Sequence, residues 1–432
     1  MHPRSFRLAS LTLETIERER VSMDSAFQKA IRTVRSRYKE ETDEAYLLVL
    51  EALRFFPEAD LVLRNEGLER IPLRRRCAFR VAYAALRSEK YSLRELEIVK
   101  GGVLSGRLWK LLSGDVTGRA DVLKSKLAVH ERLAVEYSTP PWLVKHLLDN
   151  IGFADTLKVL RGLWKRTFWV RVITTRHSEE YVLKRLHGYK LSLKENGDFP
   201  YMYEILNPRP GLTKLPPFKK GLLIAEDKGS AAVVHALNPS PSDVVYDAAA
   251  APGVKTSHIY QLTGGTCVIV AGDISRKRVQ AMRILMSRMG VDAMIIRVDS
   301  TLPPLRRKFD KVLVDAPCTN SGALSRDPGL RLALWKKPLT DSLKKLQVEM
   351  LRSAFRVVKP GGVVVYSTCS LLASEGEEVV AKILETEEAE LSPSEWGVKG
   401  YKKYPFHTRV RRLYPHIHRT VGFFIARFRW GG

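Results

Sequence analysis

From about residue 221 onward, short apolar runs alternate with helical patterns, and this alternation constrains the fold more than any other feature of the 432-residue chain. The apolar runs lie at 244–247, 267–271, 293–298 and 311–314. A further run at 361–368 follows a Pro-Gly-Gly turn and is rich in β-branched residues, which is typical of an interior strand of a parallel sheet. The pattern predicts an α/β domain with a doubly wound sheet over 221–432.

Acidic residues stand at successive strand ends of this predicted sheet, and ligands of open α/β sheets bind just beyond such ends. Asp273 is placed to accept hydrogen bonds from ribose hydroxyls, and Asp299 is placed for an adenine amino group. The small residues 248–253 let the backbone approach a ligand where a helix N-terminus favours an anionic group. Because the chain lacks G-x-G-x-x-G, a dinucleotide fits poorly, and S-adenosylmethionine is the predicted cofactor. Each Asp alone is more typical of a helix cap, but several in register favour a ligand.

Two of the four cysteines, Cys318 and Cys369, also follow predicted strand ends, and Asp315 stands three residues before Cys318. Methylation of carbon 5 of a pyrimidine needs a thiolate that attacks carbon 6, a hydrogen bond or proton at ring nitrogen 3, and a base that removes the carbon 5 hydrogen. One cysteine and one aspartate supply the first two groups. The spacing leaves either cysteine as the nucleophile, and the alternative is a pair of unreactive buried thiols.

A formal charge of +25 favours a polyanionic partner, and nucleic acid is the leading one. Basic residues cluster at 70–76, at 158–176 and in the tail from residue 399, where aromatic residues are interleaved. That mixture suits phosphate contacts beside base stacking. The alternative is a uniformly Lys/Arg-rich surface of the kind that some thermophile proteins carry.

The cysteines show neither metal-ligand spacing nor a disulfide framework, which predicts a reducing, cytoplasmic setting and no metal. No stretch approaches the roughly 20 apolar residues of a membrane span, and residues 1–23 contain no apolar core of signal-peptide length. We therefore expect no membrane association, and we expect a monomer.

The residues before 221 predict two further domains. Helical spacing at 26–38, 43–55, 72–86 and 92–104 predicts an all-helical domain over 1–137. Consecutive prolines at 140–141 cannot continue a helix and mark its boundary. Strand patterns at 169–173 and 201–205, on either side of a helical pattern at 179–186, predict a small α+β module that ends in a Pro-rich linker, over 138–220.

Four motifs resemble those of the Fmu/RsmB and NSUN family of RNA cytosine-5 methyltransferases. Residues 247–256 resemble the family's D-x-C-A-A-P-G-G-K-T signature, with Ala249 for the usual Cys and Val254 for the second Gly. Asp315-Ala-Pro-Cys318 and Thr-Cys369-Ser resemble its two cysteine motifs, and residues 412–426 are similar to its closing motif. The resemblance runs from residue 138 to the C-terminus. Residues 142–205 are similar to the family's RNA-binding module, and the helical segment looks like the NusB-type domain of RsmB-like enzymes.

The resemblance implies the Rossmann-like fold of a class I methyltransferase dependent on S-adenosylmethionine. In that family the cysteine of the Thr-Cys motif is the nucleophile, so the resemblance implies that Cys369 attacks, that Cys318 assists product release, and that Asp315 faces the base. It implies cofactor contacts from Ala249, Ala250, Ala251, Pro252, Gly253, Val254, Lys255, Asp273, Arg278, Asp299 and Asp315.

These observations predict methylation of carbon 5 of cytosine in RNA through a covalent adduct of Cys369 at carbon 6, with ribosomal RNA favoured over transfer RNA as the substrate. The base must be splayed out to be reached, and Phe423 and Phe424 either stack on it or belong to the core of the last strand. One alternative is an RNA-binding ribosome-assembly factor that retains the fold, against which the intact cysteine pair counts. Another is an amino methyltransferase, which needs an Asn/Asp-Pro-Pro-Tyr-type loop where this chain has Asp-Ala-Pro-Cys.

Overall fold

A computed structural model describes residues 1–35, 38–208, 212–305, 308–336 and 340–431. The chain forms two compact units, Met1–Trp164 with Ala323–Pro338, and Lys165–Gly322 with Leu339–Gly432. The Pro-rich linker predicted near residue 210 lies partly outside the described residues. The division into domains at 137/138 and 220/221 stays a prediction.

The first unit is helical. Its helices are α1 (Pro3–Glu19), α2 (Met23–Val34), α3 (Lys39–Asn65), α4 (Leu73–Arg87), α5 (Leu93–Leu96), α6 (Arg107–Ser113), α7 (Val116–Ser125), α8 (Val129–Glu136) and α9 (Pro141–Gly162). The core forms where α1, α3 and α4 bury apolar side chains at helical spacing, such as Leu13, Phe56 and Phe79. Helix α9 begins at a proline, which suits a first helical position, and Gly152 interrupts it with φ +76°.

The predicted helices of this unit are confirmed in part. The helix predicted at 43–55 lies within α3, and α2 covers the first part of 26–38. The helix predicted at 72–86 corresponds to α4, for which Pro72 is the N-cap. The helix predicted over 92–104 is wrong, because α5 ends at Leu96 and short 3₁₀ turns follow. Gly101 and Gly102 adopt φ +105° and +48°, a conformation that ends regular helix.

Residues 323–338 pack in the helical unit although they follow the first cysteine motif in sequence. A short helix, Leu330–Ala333, lies within this segment. Leu332 and Ala333 join the helical core, and the ring of Trp335 lies edge-on to Phe56 with centroids 4.9 Å apart. Asp327 accepts a hydrogen bond from the backbone N–H of Met23 at 3.0 Å.

The second unit contains two sheets and their helices. Its helices are α10 (Glu179–His187), α11 (Pro216–Lys219), α12 (Lys228–Leu237), α13 (Val254–Leu262), α14 (Arg276–Met289), α15 (Thr340–Val357), α16 (Glu377–Leu384) and α17 (Pro415–His418). Its strands are β1 (Trp169–Val172), β2 (Leu193–Glu195), β3 (Met202–Ile205), β4 (Leu223–Ala225), β5 (Val244–Asp247), β6 (Val268–Asp273), β7 (Met294–Arg297), β8 (Phe309–Asp315), β9 (Val358–Thr368), β10 (Ala389–Leu391), β11 (Val398–Lys399), β12 (Arg411–Leu413) and β13 (Phe423–Trp430).

The predicted α+β pattern of residues 169–205 corresponds to a small antiparallel sheet in the order β2-β3-β1-β4. The larger sheet has the order β11-β12-β13-β9-β8-β5-β6-β7, with β10 paired to β13. Its strands from β9 to β7 are parallel, which confirms the doubly wound α/β architecture. The sheet as a whole is mixed, because β13 pairs antiparallel with β9. The chain places β6 and β7 on one side of β5 and then β8 and β9 on its other side, so the order of strands reverses between β5 and β8. In open α/β sheets the carboxyl ends of the strands form a ligand crevice at such a point.

Strand β9 is an interior strand of the larger sheet, as its β-branched sequence predicts. Val364, Val365 and Tyr366 are fully buried between β8 and β13. The strand therefore delivers Cys369 directly beside the end of β8. In the described part of the chain, no helix has the length and apolar character that a membrane crossing requires.

Candidate active site

The two predicted cysteines meet at the carboxyl ends of β8 and β9. The Sγ atoms of Cys318 and Cys369 are 3.3 Å apart, and both side chains are partly exposed. The hydrogen bond with Cys369, followed by burial, raises the pKa of the Cys318 thiol well above its usual value.

A buried carboxylate holds the two cysteine loops together. Glu375 accepts hydrogen bonds from the Thr319 backbone N–H at 2.9 Å, from the Thr319 hydroxyl at 2.6 Å and from the Ser370 hydroxyl at 2.5 Å. Thr319 follows Cys318 and Ser370 follows Cys369, so one side chain fixes the residues next to both thiols. The sequence supplies this carboxylate six residues after Cys369.

Backbone pairing brings the closing motif to the same place. Gly322 N–H donates to the Cys369 carbonyl at 3.0 Å, and Gly422 N–H donates to the Gly322 carbonyl at 2.8 Å. A Cβ on Gly322 would lie 2.2 Å from the Gly422 carbonyl oxygen. The approach therefore requires glycine at position 322, and it fixes the loop beside Cys369.

Asn320 is a site residue that the sequence interpretation missed. It adopts a left-handed conformation with φ +58°, which Asn tolerates better than most residues. Its Oδ1 lies 2.9 Å from Cys369 Sγ and accepts the thiol hydrogen. A half-turn of the amide presents its NH₂ to the sulfur instead. The signal in the sequence was an Asn two residues after Cys318, in a turn.

Asp315 lies between a lysine and a serine at the end of β8. Lys255 Nζ is 2.5 Å from Asp315 Oδ2, and the Ser367 hydroxyl donates to Asp315 Oδ1 at 2.7 Å. Although burial acts in the opposite direction, the Asp315 carboxylate raises the pKa of Lys255. The structure thus joins Lys255 of the predicted cofactor loop to Asp315 of the first cysteine motif.

Asp247 ends β5 directly before the small-residue turn. Its Oδ2 accepts a hydrogen bond from the Thr256 hydroxyl at 2.7 Å, whereas Oδ1 is buried and has no hydrogen-bond partner in the described residues. Burial raises the pKa of Asp247 to about 7, against the lowering effects of Thr256 and Lys255. A buried acceptor without a donor at a strand end fits the ammonium group of a methionine moiety, and the predicted site had omitted this residue.

The predicted residues Ala251, Asp273 and Arg278 also meet. Arg278 pairs with Asp273 Oδ2 at 3.2 Å through Nη1 and donates to the Ala251 carbonyl through Nη2. Asp273 Oδ1 accepts from the backbone N–H of Ser275 at 2.9 Å. The carboxyl end of β6 is thereby tied to the turn after β5, which is the arrangement that a ligand bound across both strands requires.

Asp299 and Gly253 have local contacts of their own. Asp299 is exposed, and its Oδ1 accepts from the backbone N–H and hydroxyl of Thr301 at 3.0 and 2.8 Å, as a turn-capping Asp does. Gly253 adopts φ +103°, and a Cβ there would lie 2.5 Å from Met286 Cε. The cofactor roles of both residues stay predictions.

A buried charge network supports the cofactor loop from the small sheet. Arg171 of β1 pairs with Glu226 at 2.6 Å and donates to the Ser257 hydroxyl and the Val254 carbonyl of α13 at 2.6 and 3.2 Å. Although burial opposes it, His258 and Arg171 lower the pKa of Glu226 to about 2. The first turn of α13, which begins at the predicted cofactor residue Val254, is thus fixed from outside the methyltransferase sheet.

Phe423 and Phe424 are both buried, at 3% and 0% exposure. Phe424 lies in the apolar core with Tyr366, which favours the core alternative for this ring. The ring centroid of Phe423 is 5.9 Å from Lys255 Nζ. Phe423 is therefore close to the Lys255–Asp315 pair.

Comparison with known proteins identifies the family of this chain. A family model described as 16S rRNA methyltransferase RsmB/F matches residues 234–429. A Synechocystis protein named "Probable ribosomal RNA small subunit methyltransferase B" is 30% identical over 332 residues, which cover 75% of this chain and 73% of that protein. The chain belongs to this family.

Two further likenesses extend the comparison. A Pyrococcus horikoshii protein named tRNA (cytosine(72)-C(5))-methyltransferase is 36% identical over 229 residues, which cover 51% of this chain and 55% of that protein. The crystal structure of the protein PH0851 matches 99% of both chains with a TM-score of 0.77 at 24% identity, a likeness of fold alone. As a member of the RsmB/F and NSUN family, the chain is an RNA cytosine-C5 methyltransferase whose cofactor is S-adenosylmethionine.

Proposed function

We propose that this enzyme methylates cytosine in ribosomal RNA with Cys369 as the nucleophile. The observation that carries the proposal is the 3.3 Å approach of Cys318 and Cys369 beside Asp315, at the carboxyl ends of two neighbouring strands. Two thiols at this separation serve one reacting base. Cys369 belongs to the Thr-Cys motif that the family resemblance assigns to the nucleophile, and the hydrogen bond with Cys369 raises the pKa of Cys318, which supports the same assignment.

The chain's own groups have distinct tasks. The Cys369 thiolate forms a bond to carbon 6 of the splayed-out cytosine, and the electron pair of the 5,6 double bond moves to carbon 5. Ring nitrogen 3 takes a proton from water in the adduct, and the Asp315 carboxylate, held by Lys255 and Ser367, accepts a hydrogen bond from that N–H. The bound cofactor would supply a methyl group to carbon 5. The carbon 5 proton then passes to a base, the 5,6 double bond re-forms, and the bond between Cys369 and carbon 6 breaks with its electron pair returning to the Cys369 sulfur; Cys318 assists this elimination.

The proposed cofactor residues are the turn 249–255, Asp273, Arg278, Asp299 and Asp315, to which we add Asp247. Asp247 Oδ1 is the buried acceptor that lacks a donor, and Arg278 joins Asp273 to Ala251. These contacts support a ligand that spans the ends of β5 and β6. Asp315 adjoins both this ligand and the base.

Methyl transfer from labelled cofactor to RNA tests the roles of the cysteines. We expect Cys369→Ala to make no product, and Cys318→Ala to accumulate a species in which RNA remains attached to Cys369. Cys267→Ala is the matched control, because Cys267 is buried at the start of β6 and lies outside the site. Retained activity in Cys369→Ala would show that the roles are wrongly assigned.

Ribosomal RNA is favoured as the substrate because the relative named for ribosomal RNA aligns over 75% of this chain, against 51% for the relative named for transfer RNA. Bisulfite sequencing of total RNA from cells with and without the enzyme tests this choice. We expect the 5-methylcytosine that disappears to lie in ribosomal RNA. Its disappearance from transfer RNA alone would overturn the proposed substrate.

We also propose that the enzyme works as a monomer in the cytoplasm, where reducing conditions keep Cys318 and Cys369 as thiols. Light scattering after size-exclusion chromatography tests the oligomeric state. A mass of twice the 49.0 kDa chain would contradict the monomer.

A further inference from the structure

A cavity of about 350 Å³ lies within the helical unit. It is enclosed by the end of α1, by α3, by the first half of α4 and by residues 332–336. Its size falls within the range of small-ligand pockets. It is separate in sequence from every residue of the candidate active site.

The floor of this cavity is a neutral ion-pair network. Arg80 is buried and donates to both carboxylate oxygens of Asp60 at 2.7 and 2.6 Å and to Glu17. Arg76 donates to the other oxygen of Glu17 at 2.6 Å. Two cations therefore face two carboxylates, and these arginines are committed to the fold. They do not account for the excess positive charge of the cavity.

The rim of the cavity carries that excess. Arg20, Arg64 and Lys336 are exposed, and their side chains make no ion pair or hydrogen bond with any described residue. Glu69 is the acidic side chain of the rim that lacks an ion pair within the described ranges, so the rim has a net charge of two positive. The partly buried indole of Trp335 lines the same cavity. A cavity lined by an excess of positive charge and by an aromatic ring is suited to a phosphate and an adjoining base.

We propose that this cavity binds a nucleotide phosphate of the RNA substrate, with Arg20 and Arg64 as the phosphate contacts and Trp335 beside the base. The proposal rests on RNA being the substrate, as proposed above. It assigns to the helical unit a part in RNA binding through residues that do not belong to the candidate active site. The exposed Arg94 of α5 provides the contrast, because it belongs to the same helical unit but neither lines the cavity nor lies in the basic cluster at 70–76.

Paired substitutions test the cavity without disturbing its floor. Arg20→Asn suits the φ of +51° at this position because Asn tolerates the left-handed conformation, and Arg64→Gln removes an exposed charge from α3. Each lost phosphate contact should weaken RNA binding about fivefold at 0.15 M salt and reduce the slope of log Kd against log salt by about one. Arg94→Gln removes the same charge outside the cavity and should change neither quantity.

Fluorescence anisotropy with labelled ribosomal RNA fragments, titrated at several KCl concentrations, measures both quantities. The double variant Arg20→Asn/Arg64→Gln is expected to show about 25-fold weaker binding, from two contacts, with an unchanged circular dichroism melt. Binding equal to wild type, or weakened equally by Arg94→Gln, would overturn the proposal.

A second arm separates RNA from a free nucleotide. Equilibrium dialysis measures the binding of labelled cytidine monophosphate. We expect this binding to be the same for the wild-type enzyme and the double variant. If the double variant loses cytidine monophosphate but keeps RNA affinity, the site takes a free nucleotide and the RNA proposal is overturned. An enzyme that binds RNA through Arg20 and Arg64 but transfers no methyl group would instead refute the proposed function while upholding this site.

Discussion

Asp247 offers a quantitative test of where the cofactor binds. Burial holds its pKa at about 7, so the carboxyl group is about half protonated at pH 7 and about 90% protonated at pH 6. If its Oδ1 receives the cofactor's ammonium group, binding must displace that proton. We expect the release of about 0.5 proton at pH 7 and about 0.9 at pH 6. Binding should tighten about fivefold between pH 6 and pH 7, as the ionised fraction of Asp247 rises.

Isothermal titration calorimetry in two buffers of different ionisation enthalpy measures this proton release. Asp247→Asn should bind S-adenosylmethionine more weakly. Its proton release should be lower than that of the wild type by about 0.5 proton at pH 7 and by about 0.9 proton at pH 6. Asp299→Asn is the matched control, because hydrogen bonds from Thr301 lower the pKa of that carboxyl and it stays ionised at pH 6. Equal proton release by wild type and Asp247→Asn at pH 6 would contradict the placement of the ammonium group at Asp247.

Two further predictions concern the cysteine loops. Arg412 and Glu377 form a fully buried ion pair, so Arg412→Met should cost about 3–5 kcal/mol, seen as a lower Tm in a thermal melt, and adding Glu377→Gln should recover most of the loss. Asn320→Gly keeps the left-handed backbone but removes the amide 2.9 Å from Cys369. Losing one hydrogen bond of about 1 kcal/mol should lower kcat roughly fivefold and leave cofactor affinity unchanged; an unchanged kcat would count against this contact.

The arrangement of the site could be predicted wherever it follows from strand periodicity. Buried strands that end at Asp315 and just before Cys369 belong to one parallel sheet, so their carboxyl ends share an edge. The 3.3 Å approach of the cysteines confirms that expectation. The turn after β5 and the carboxyl end of β6 are joined by Arg278. Their proximity could be predicted for the same reason.

Other features depend on contacts that no local pattern encodes. The pairing of Gly322 with Gly422 joins residues a hundred positions apart, and sequence shows only two glycines. Asn320 looks like an ordinary turn residue until Cys369 is placed beside it. Residues 323–336 follow the first cysteine motif in sequence, yet Leu332 and Ala333 pack in the helical core, because apolar side chains in a short segment do not indicate which core they join.

The central claim is that Cys369, and not Cys318, bonds to the base. RNA that contains 5-fluorocytidine at the target position tests it, because the fluorine at carbon 5 cannot leave as a proton and the adduct persists. Peptide mapping by mass spectrometry of the wild-type enzyme after reaction should place the RNA adduct on the peptide that contains Cys369. An adduct on the Cys318 peptide, or no adduct while the same RNA with cytidine is methylated, would contradict the assignment.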